Sequence, residues 1–272
     1  MKILITGSTG FLGKVVIRNI KIKKNLFFIT RNKKKGGNNF YCDLQNLKRV
    51  KYIINFLKPD VIINLAAEVN FTKRTRKMYQ VNTLLPKIFA QYCRKYNKHL
   101  IQASSILVHG MHFLYNHKTS LKPKIAYAKT KLLADKYILK TKCNYSILRF
   151  GGIYGKNGPS HLVINNYIKK AIKKKKIIFS GNPLSKRNYI FVNDAAKCII
   201  NCIRRKRFGI FYLGGQIQTF KEMVEKINLI LESKKKILYK KNKEIKYDQI
   251  ITKDKSFKTT SFSNSLKIIK CA

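Results

Sequence analysis

Tyr127 and Lys131 stand four residues apart in the run Tyr127-Ala128-Lys129-Thr130-Lys131. On a helix that spacing puts both side chains on one face. A phenol with a reference pKa of ~10 is a poor proton shuttle at neutral pH, and a neighbouring ammonium favours its phenolate form. Bringing it to neutrality takes roughly 4 kcal/mol, within reach of a closed, partly dry site. The same pair on a solvent-facing helix would do nothing. Ser104-Ser105 follows the apolar run His99–Ala103, so a hydroxyl stands where a strand ends. There it either orients a substrate oxygen beside the phenol or caps a helix. Together Ser105, Tyr127 and Lys131 are the candidate catalytic residues.

A second constellation suits phosphate. Gly7-Ser8-Thr9-Gly10-Phe11-Leu12-Gly13 comes directly after a strand-like run and opens a helix-like one. Glycine is needed where a turn is tight and where backbone must approach a pyrophosphate, and the helix N-terminus behind it offers free N–H groups. Gly7, Thr9, Gly10, Phe11, Leu12 and Gly13 are thus candidate cofactor-binding residues. At the end of the second strand, where an acid would hold the ribose 2′-hydroxyl of NAD, stand Thr30 and Arg31. No Asp or Glu occurs from Met1 to Tyr41. An arginine there accommodates a 2′-phosphate, which favours NADP over NAD. Asp43-Leu44 either reaches the adenine end or forms a plain turn.

The elements that must position these residues alternate. Strands are expected at Lys2–Thr6, Leu26–Thr30, Val61–Leu65, His99–Ala103 and Ser146–Phe150. Helices are expected at Leu12–Ile20, Leu47–Phe56, Thr83–Tyr96 and Ala126–Leu139. Such alternation predicts an α/β, doubly wound parallel sheet (Rossmann) whose strand ends open on one crevice. Residues 1–150 form this dinucleotide-binding part. Residues 151–272, where glycine and proline break the regularity, form a smaller, interleaved C-terminal part for substrate. It carries a basic helix near Leu162–Lys173 and another from Thr219-Phe220-Lys221-Glu222, whose spacing is that of a capping box, to about Leu231.

Composition narrows the classes. The longest apolar runs of this 272-residue chain fall short of the ~18–20 residues a membrane-spanning helix needs. Lys2–Thr6 reads as a strand, with no leader pattern before it, so a cytoplasmic location is expected. The six cysteines are scattered, without metal-ligand or disulfide spacing, and read as reduced core thiols. Fifty-nine basic against 11 acidic residues give +48, which on its face suggests a polyanion partner. Yet Lys outnumbers Arg 48 to 11, and Lys, Ile and Asn supply 107 residues, the signature of an adenine- and thymine-rich coding bias. The runs Lys33–Lys35, Lys173–Lys176 and Lys234–Lys236 lack interleaved aromatics for stacking on bases, so no specific nucleic acid is expected.

In order along the chain, Gly7-x-x-Gly10-Phe-Leu-Gly13, Asn64-Leu65-Ala66-Ala67, Ser105-Ile-Leu-Val108-His109-Gly110, Tyr127-x-x-x-Lys131, Leu148-Arg149-Phe150-Gly151-Gly152-Ile153-Tyr154-Gly155 and the segment from Arg187 to Asp194 resemble the extended short-chain dehydrogenases/reductases of the NAD-dependent epimerase/dehydratase family. The resemblance implies Tyr127 as the acid/base, Lys131 as the residue that holds the nicotinamide ribose and lowers the tyrosine pKa, and Ser105 as donor to the reacting oxygen. It implies Leu65, Ala66 and Ala67 along the cofactor, Asn82 near the substrate, Arg187 on a substrate diphosphate, and a homodimer. The implied substrate is a nucleotide sugar, with hydride transfer making the chain a 4-epimerase or a 4-keto-sugar reductase. Two departures matter. The 4,6-dehydratases of the family carry an acid pair where this chain has Ile106-Leu107, and aliphatic side chains move no protons. Every arginine lies at or before Arg207, leaving no second phosphate-gripping arginine near the C-terminus. Alternatives are reduction of a non-sugar ketone, or a non-catalytic NADP- or nucleic-acid-binding role on the same scaffold.

Overall fold

The computed structural model describes residues 1–20, 24–31, 38–233, 237–240 and 248–271. The lysine runs Lys33–Lys35 and Lys234–Lys236 lie outside the described residues. The first half runs β1 (Ile3–Thr6), α1 (Phe11–Asn19), β2 (Leu26–Thr30), β3 (Asn39–Tyr41), α2 (Leu47–Leu57), β4 (Val61–Asn64), α3 (Arg76–Tyr79), a π turn (Gln80–Leu84), α4 (Leu85–Lys95) and β5 (His99–Ser105). A 3-10 turn (Ile106–His109), β6 (Leu114–Tyr115), α5 (Ala126–Thr141), β7 (Asn144–Phe150), β8 (Ile153–Tyr154), α6 (Val163–Ile172), β9 (Ile178–Ser180) and β10 (Lys186–Arg187) follow. The chain continues through β11 (Ile190–Phe191), α7 (Val192–Arg204), β12 (Gly209–Leu213), β13 (Gln218–Thr219), α8 (Phe220–Ile230), β14 (Leu238–Lys240), β15 (Ile250–Ile251) and α9 (Phe262–Cys271).

Two compact units share these elements. The first comprises Met1–Gly110, Ser120–Arg149 and Ala196–Phe211, the second Met111–Thr119, Phe150–Ala195 and Tyr212–Ala272. The division differs from a single boundary at residue 150, since 111–119 leave the first unit and 196–211 return to it. A seven-stranded sheet has the order β12-β7-β5-β4-β1-β2-β3. The pairs of β1 with β2 and β4, of β2 with β3 and of β4 with β5 are parallel. Strand order reverses beside β1, which is where a doubly wound sheet opens its ligand crevice. Strands β1 and β4 are buried along their whole length, as strands covered on both faces must be. Beneath them Leu4, Ile53, Ile62, Phe89, Leu100 and Ile147 share one apolar core.

Within the second unit an aromatic core forms around Tyr154, whose ring lies 5.7 Å from Phe191 and 5.3 Å from Phe262, and around Phe179, 5.5 Å from Phe220. Thr219 and Glu222 form a capping box at the start of α8. Asn188 braces β15, its Oδ1 accepting from Ile251 N at 3.0 Å and its Nδ2 donating to Ile251 O at 2.8 Å. Cys42, Cys93, Cys143, Cys198 and Cys202 are buried, while Cys271 is exposed. Among the described residues no helix is long and apolar enough to cross a membrane.

Three buried side chains tie the central strands together at the crevice. Thr6 Oγ1 donates to Asn64 Oδ1 at 2.5 Å, Asn64 Nδ2 to Gln102 Oε1 at 2.8 Å, and Gln102 Nε2 to Ala103 O at 2.8 Å. Replacing Asn64 with leucine fills a similar volume but leaves Thr6 and Gln102 with buried unmet groups. Asn64→Leu should lower the unfolding free energy by about 2 kcal/mol in a urea titration. An unchanged midpoint would mean the chain of bonds adds nothing to stability.

Candidate active site

Strand β1 delivers the chain into Gly7 at φ +72°, a conformation glycine adopts without strain, and a Cβ there would lie 2.7 Å from Ala66 N. Helix α1 then starts with Gly10 as its cap, and no side chain caps it. Its first-turn N–H groups are therefore available to an anion at the positive end of the helix dipole. Gly13 seats the helix on the turn, since a Cβ there would come within 2.1 Å of Gly7 O. Phe11 and Leu12 occupy the first turn of α1 beside it. A cleft beyond the turn gathers Gly7, Thr9, Gly10, Arg31, Asp43, Leu44, Leu65, Ala66 and Ala67 from four separate stretches of chain. A glycine cradle, an uncapped helix end and a small-residue wall fit a dinucleotide.

Sequence reasoning missed two charged residues of the same cleft, Glu68 and Lys77, which pair at 2.9 Å. No local motif marks them, because the loop after β4 and the short helix α3 meet only in the fold. Asp43 accepts from Gln45 N at 2.9 Å and from Gln45 Nε2 at 3.2 Å. The backbone bond from Gln45 leads the effects that hold its carboxyl below the usual carboxylate range, with Arg31 and Lys77 helping.

Asn82, expected near the substrate, is fully buried in the π turn and has its amide occupied. Its Oδ1 accepts from Glu68 N at 2.8 Å, and its Nδ2 donates to Glu68 O at 2.8 Å and Thr130 Oγ1 at 3.1 Å. The expectation is corrected: Asn82 braces the cleft loop against α5 instead of facing a ligand. The helix expected at Thr83–Tyr96 starts earlier, at α3, because Thr75 caps it by accepting from Met78 N at 3.0 Å. The extra residue of the π turn aims Asn82 at Glu68.

The three candidate catalytic residues come from β5 and the first turns of α5. Ser105 is half-buried, its Oγ accepting from Leu107 N at 3.2 Å and so capping the 3-10 turn. Its hydroxyl proton remains available to a substrate oxygen. Tyr127 is half-buried, with the Phe71 ring edge-on at 6.2 Å. Lys131 is 1 % exposed and makes no hydrogen bond among the described residues. Burial pushes the Tyr127 phenol up to about 12, with the Asp135 carboxylate adding to the shift. Burial pulls the Lys131 ammonium down to about 8 against an upward pull from Asp135. Burial and Asp135 set the direction of the Tyr127 shift, and Lys131 is not among its causes. At neutral pH the pair is a neutral phenol, ready to donate a proton, beside an ammonium.

Behind this pair lies a polar cluster that sequence reasoning passed over. Asp135 Oδ2 accepts from Ser104 Oγ at 3.0 Å and from Arg149 Nε and NH2 at 3.2 Å each. Arg149 NH1 lies 3.3 Å from His109 Nε2, and His109 Nδ1 lies 3.0 Å from Ser120 O. The Lys131-to-Asp135 spacing of four residues was a visible signal for it.

In the second unit Arg187 is 8 % exposed, not a surface charge. Its NH1 donates to Lys186 O at 2.8 Å and its guanidinium lies 5.2 Å from the centre of the Phe220 ring.

The buried ammonium implies a stability prediction. Below pH 8 the folded chain must hold a proton that burial disfavours, and that cost fades as pH rises from 8 towards the ordinary 10.5. Lys131→Met should therefore stabilise the fold at pH 7 by about 3 kcal/mol, with the gain shrinking above pH 8. Denaturant titrations across pH check this, and a pH-independent difference would refute it.

Comparisons with known proteins agree with this geometry. The chain is 27% identical over 248 residues to a dTDP-D-glucose 4,6-dehydratase of Dictyostelium discoideum, covering 78% of this chain but 57% of that protein's length. It is 26% identical over 214 residues to a GDP-6-deoxy-D-talose 4-dehydrogenase of Aggregatibacter actinomycetemcomitans, covering 75% and 71%. A crystal structure of UDP-N-acetylglucosamine 4-epimerase from Bacillus cereus superposes with a TM-score of 0.86 at 24% identity, over 100% of this chain and 98% of the other. Residues 3–214 match the description of one family throughout, and the chain belongs to that family, the NAD dependent epimerase/dehydratases.

Proposed function

We propose that the protein transfers a hydride between a nicotinamide cofactor and a sugar carbon of a nucleotide sugar, as a 4-epimerase or a 4-keto-sugar reductase. The observation that carries this reading is the placement of Tyr127 and the buried Lys131 on one face of α5, a helix packed against β5 and the 3-10 turn that Ser105 caps. Bound in the cleft, the cofactor supplies the hydride donor or acceptor. Ser105 orients the substrate oxygen by donating its hydroxyl proton. Tyr127 gives its proton to that oxygen as a carbonyl becomes an alcohol and is left as phenolate, and it is this phenolate that takes the proton when an alcohol becomes a carbonyl. Lys131 holds the nicotinamide ribose through its N–H groups. Arg187, buried against Phe220, is the candidate grip for the substrate diphosphate.

Ile106 and Leu107 follow Ser105, where the family resemblance sets an acid pair in 4,6-dehydratases. Neither can carry a proton, which supports oxidoreduction or epimerisation over dehydration. Arg31, exposed on the cleft rim, supports NADP as the dinucleotide, because Lys77 beside it is already engaged by Glu68.

Three experiments test the reading. Tyr127→Phe should cut turnover of a nucleotide sugar at least about a thousandfold while leaving dinucleotide affinity nearly unchanged; full activity in that variant would refute the assignment. Net oxidation of NADPH by a keto-sugar nucleotide identifies a reductase, and interconversion without absorbance change identifies an epimerase. Arg31→Ala should weaken NADP about tenfold and leave NAD unaffected in fluorescence titrations. Equal losses for both dinucleotides would remove the 2′-phosphate role.

A further inference from the structure

Asp135 is fully buried on the face of α5 that carries Tyr127 and Lys131. Burying a carboxylate is costly unless its charge and both its oxygens are used. A carboxylate serving merely as counterion to an arginine tends to take the guanidinium fork on two oxygens. Here Ser104 and both Arg149 contacts fall on Oδ2, and Oδ1 is buried without a hydrogen-bond partner among the described residues. One turn back along the helix is the 1 % exposed Lys131 ammonium, itself without a hydrogen bond among the described residues.

We propose that Asp135 is a positioning residue of the active site: pinned through Oδ2 by Ser104 and Arg149, it keeps Lys131 charged where water is excluded, and so keeps it able to donate to a cofactor ribose. The rest of the cluster suits that role. His109 Nδ1 can only donate to the Ser120 carbonyl, so Nε2 of the neutral ring accepts from Arg149 NH1. Charge therefore alternates as Lys131 cation, Asp135 anion, Arg149 cation, with a neutral imidazole closing the row. The other titratable group on the same face is Tyr127, and the π-turn side chains bonded to α5, Asn82 and Thr83, are neutral. Asp135 opposes the downward pull of burial on Lys131.

The inference rests on the proposed hydride-transfer site, but its test needs no substrate. In protein carrying 13C at the lysine ε-carbons, the Lys131 resonance is the one missing from Lys131→Met. Its titration midpoint should lie near pH 8 in the native protein. In Asp135→Asn it should fall by about one pH unit or more, and in Asp135→Glu it should recover. Should Asp135→Asn fail to fold, Asp135→Asn with Arg149→Gln removes both charges, and a smaller fall is expected because the loss of the Arg149 cation partly offsets that of Asp135. An unmoved midpoint in either variant overturns the proposal, since a purely structural role would not shift it. Fluorescence titration with NADH and NADPH separates the two readings. A native protein that binds neither, yet shows the shift, keeps the Asp135 assignment and sinks the enzyme reading; binding without the shift does the reverse.

Discussion

What this site can do depends on holding an ammonium in a place almost closed to water. A buried cation is tolerated only where opposite charge or hydrogen bonding offsets its lost hydration, and α5 is built around that need. The helix buries Thr130, Lys131 and Asp135 alongside Ala128, Leu132, Ala134 and Ile138, so its inward face is far from plainly apolar. Thr130 has structural work of its own: its Oγ1 donates to Tyr127 O at 2.7 Å and its carbonyl accepts from Thr83 Oγ1 at 2.9 Å. Through Asn82 the same threonine is tied to the Glu68 backbone on the cleft wall. One hydrogen-bonded path therefore runs from the loop that lines the cleft to the turn that carries Tyr127, the proposed acid–base residue. A packed, bonded path of this kind fixes the relative placement of the two, which proximity catalysis requires.

Net charge makes each carboxylate matter. With 59 basic residues against 11 acidic ones, self-repulsion opposes the compact state throughout. The carboxylates stand where they act locally. Asp60 takes Lys98 Nζ at 2.6 Å and Lys2 N at 2.8 Å, Glu222 caps α8, and Asp194 receives Thr260 N at 2.7 Å. Glu68 neutralises Lys77 in the cleft, and Asp135 stands between two cations. The exposed pairs contribute little each. The buried one is different in kind, because removing its acid would leave cations facing each other in a medium that screens poorly.

The strands and helices around the nucleotide turn were legible because their signals are local. A strand ending in Gly7, a helix opening at Gly10 and a four-residue Tyr–Lys spacing need no knowledge of the rest of the chain. Helix α7, Val192–Arg204, begins inside the segment from Arg187 to Asp194, where the motif masks its helical period. Helix α9 hides its Phe262, Leu266 and Ile269 spacing among serines and lysines, and β3 is three residues long. Positions that depend on tertiary meeting were not legible. Asn82 was assigned by resemblance to the substrate, yet its partners, Glu68 and Thr130, lie 14 and 48 residues away. What His109 does becomes visible only once Arg149 is known to face it.

Local charge in the cleft, not charge over the whole chain, bears on the choice of dinucleotide. A chain of +48 would seem bound to prefer the cofactor with the extra phosphate. Among the described residues the cleft is balanced, with Arg31 and Lys77 against Asp43 and Glu68. Lys77 is engaged at 2.9 Å by Glu68, and Asp43, held ionised by Gln45, sets a negative charge in the field of Arg31. Distant surface lysines are screened beyond roughly 8–10 Å at physiological salt and contribute little at the ribose. Among the described residues, the proposed discrimination between a 2′-hydroxyl and a 2′-phosphate rests on the Arg31 guanidinium, whose pull Asp43 partly cancels.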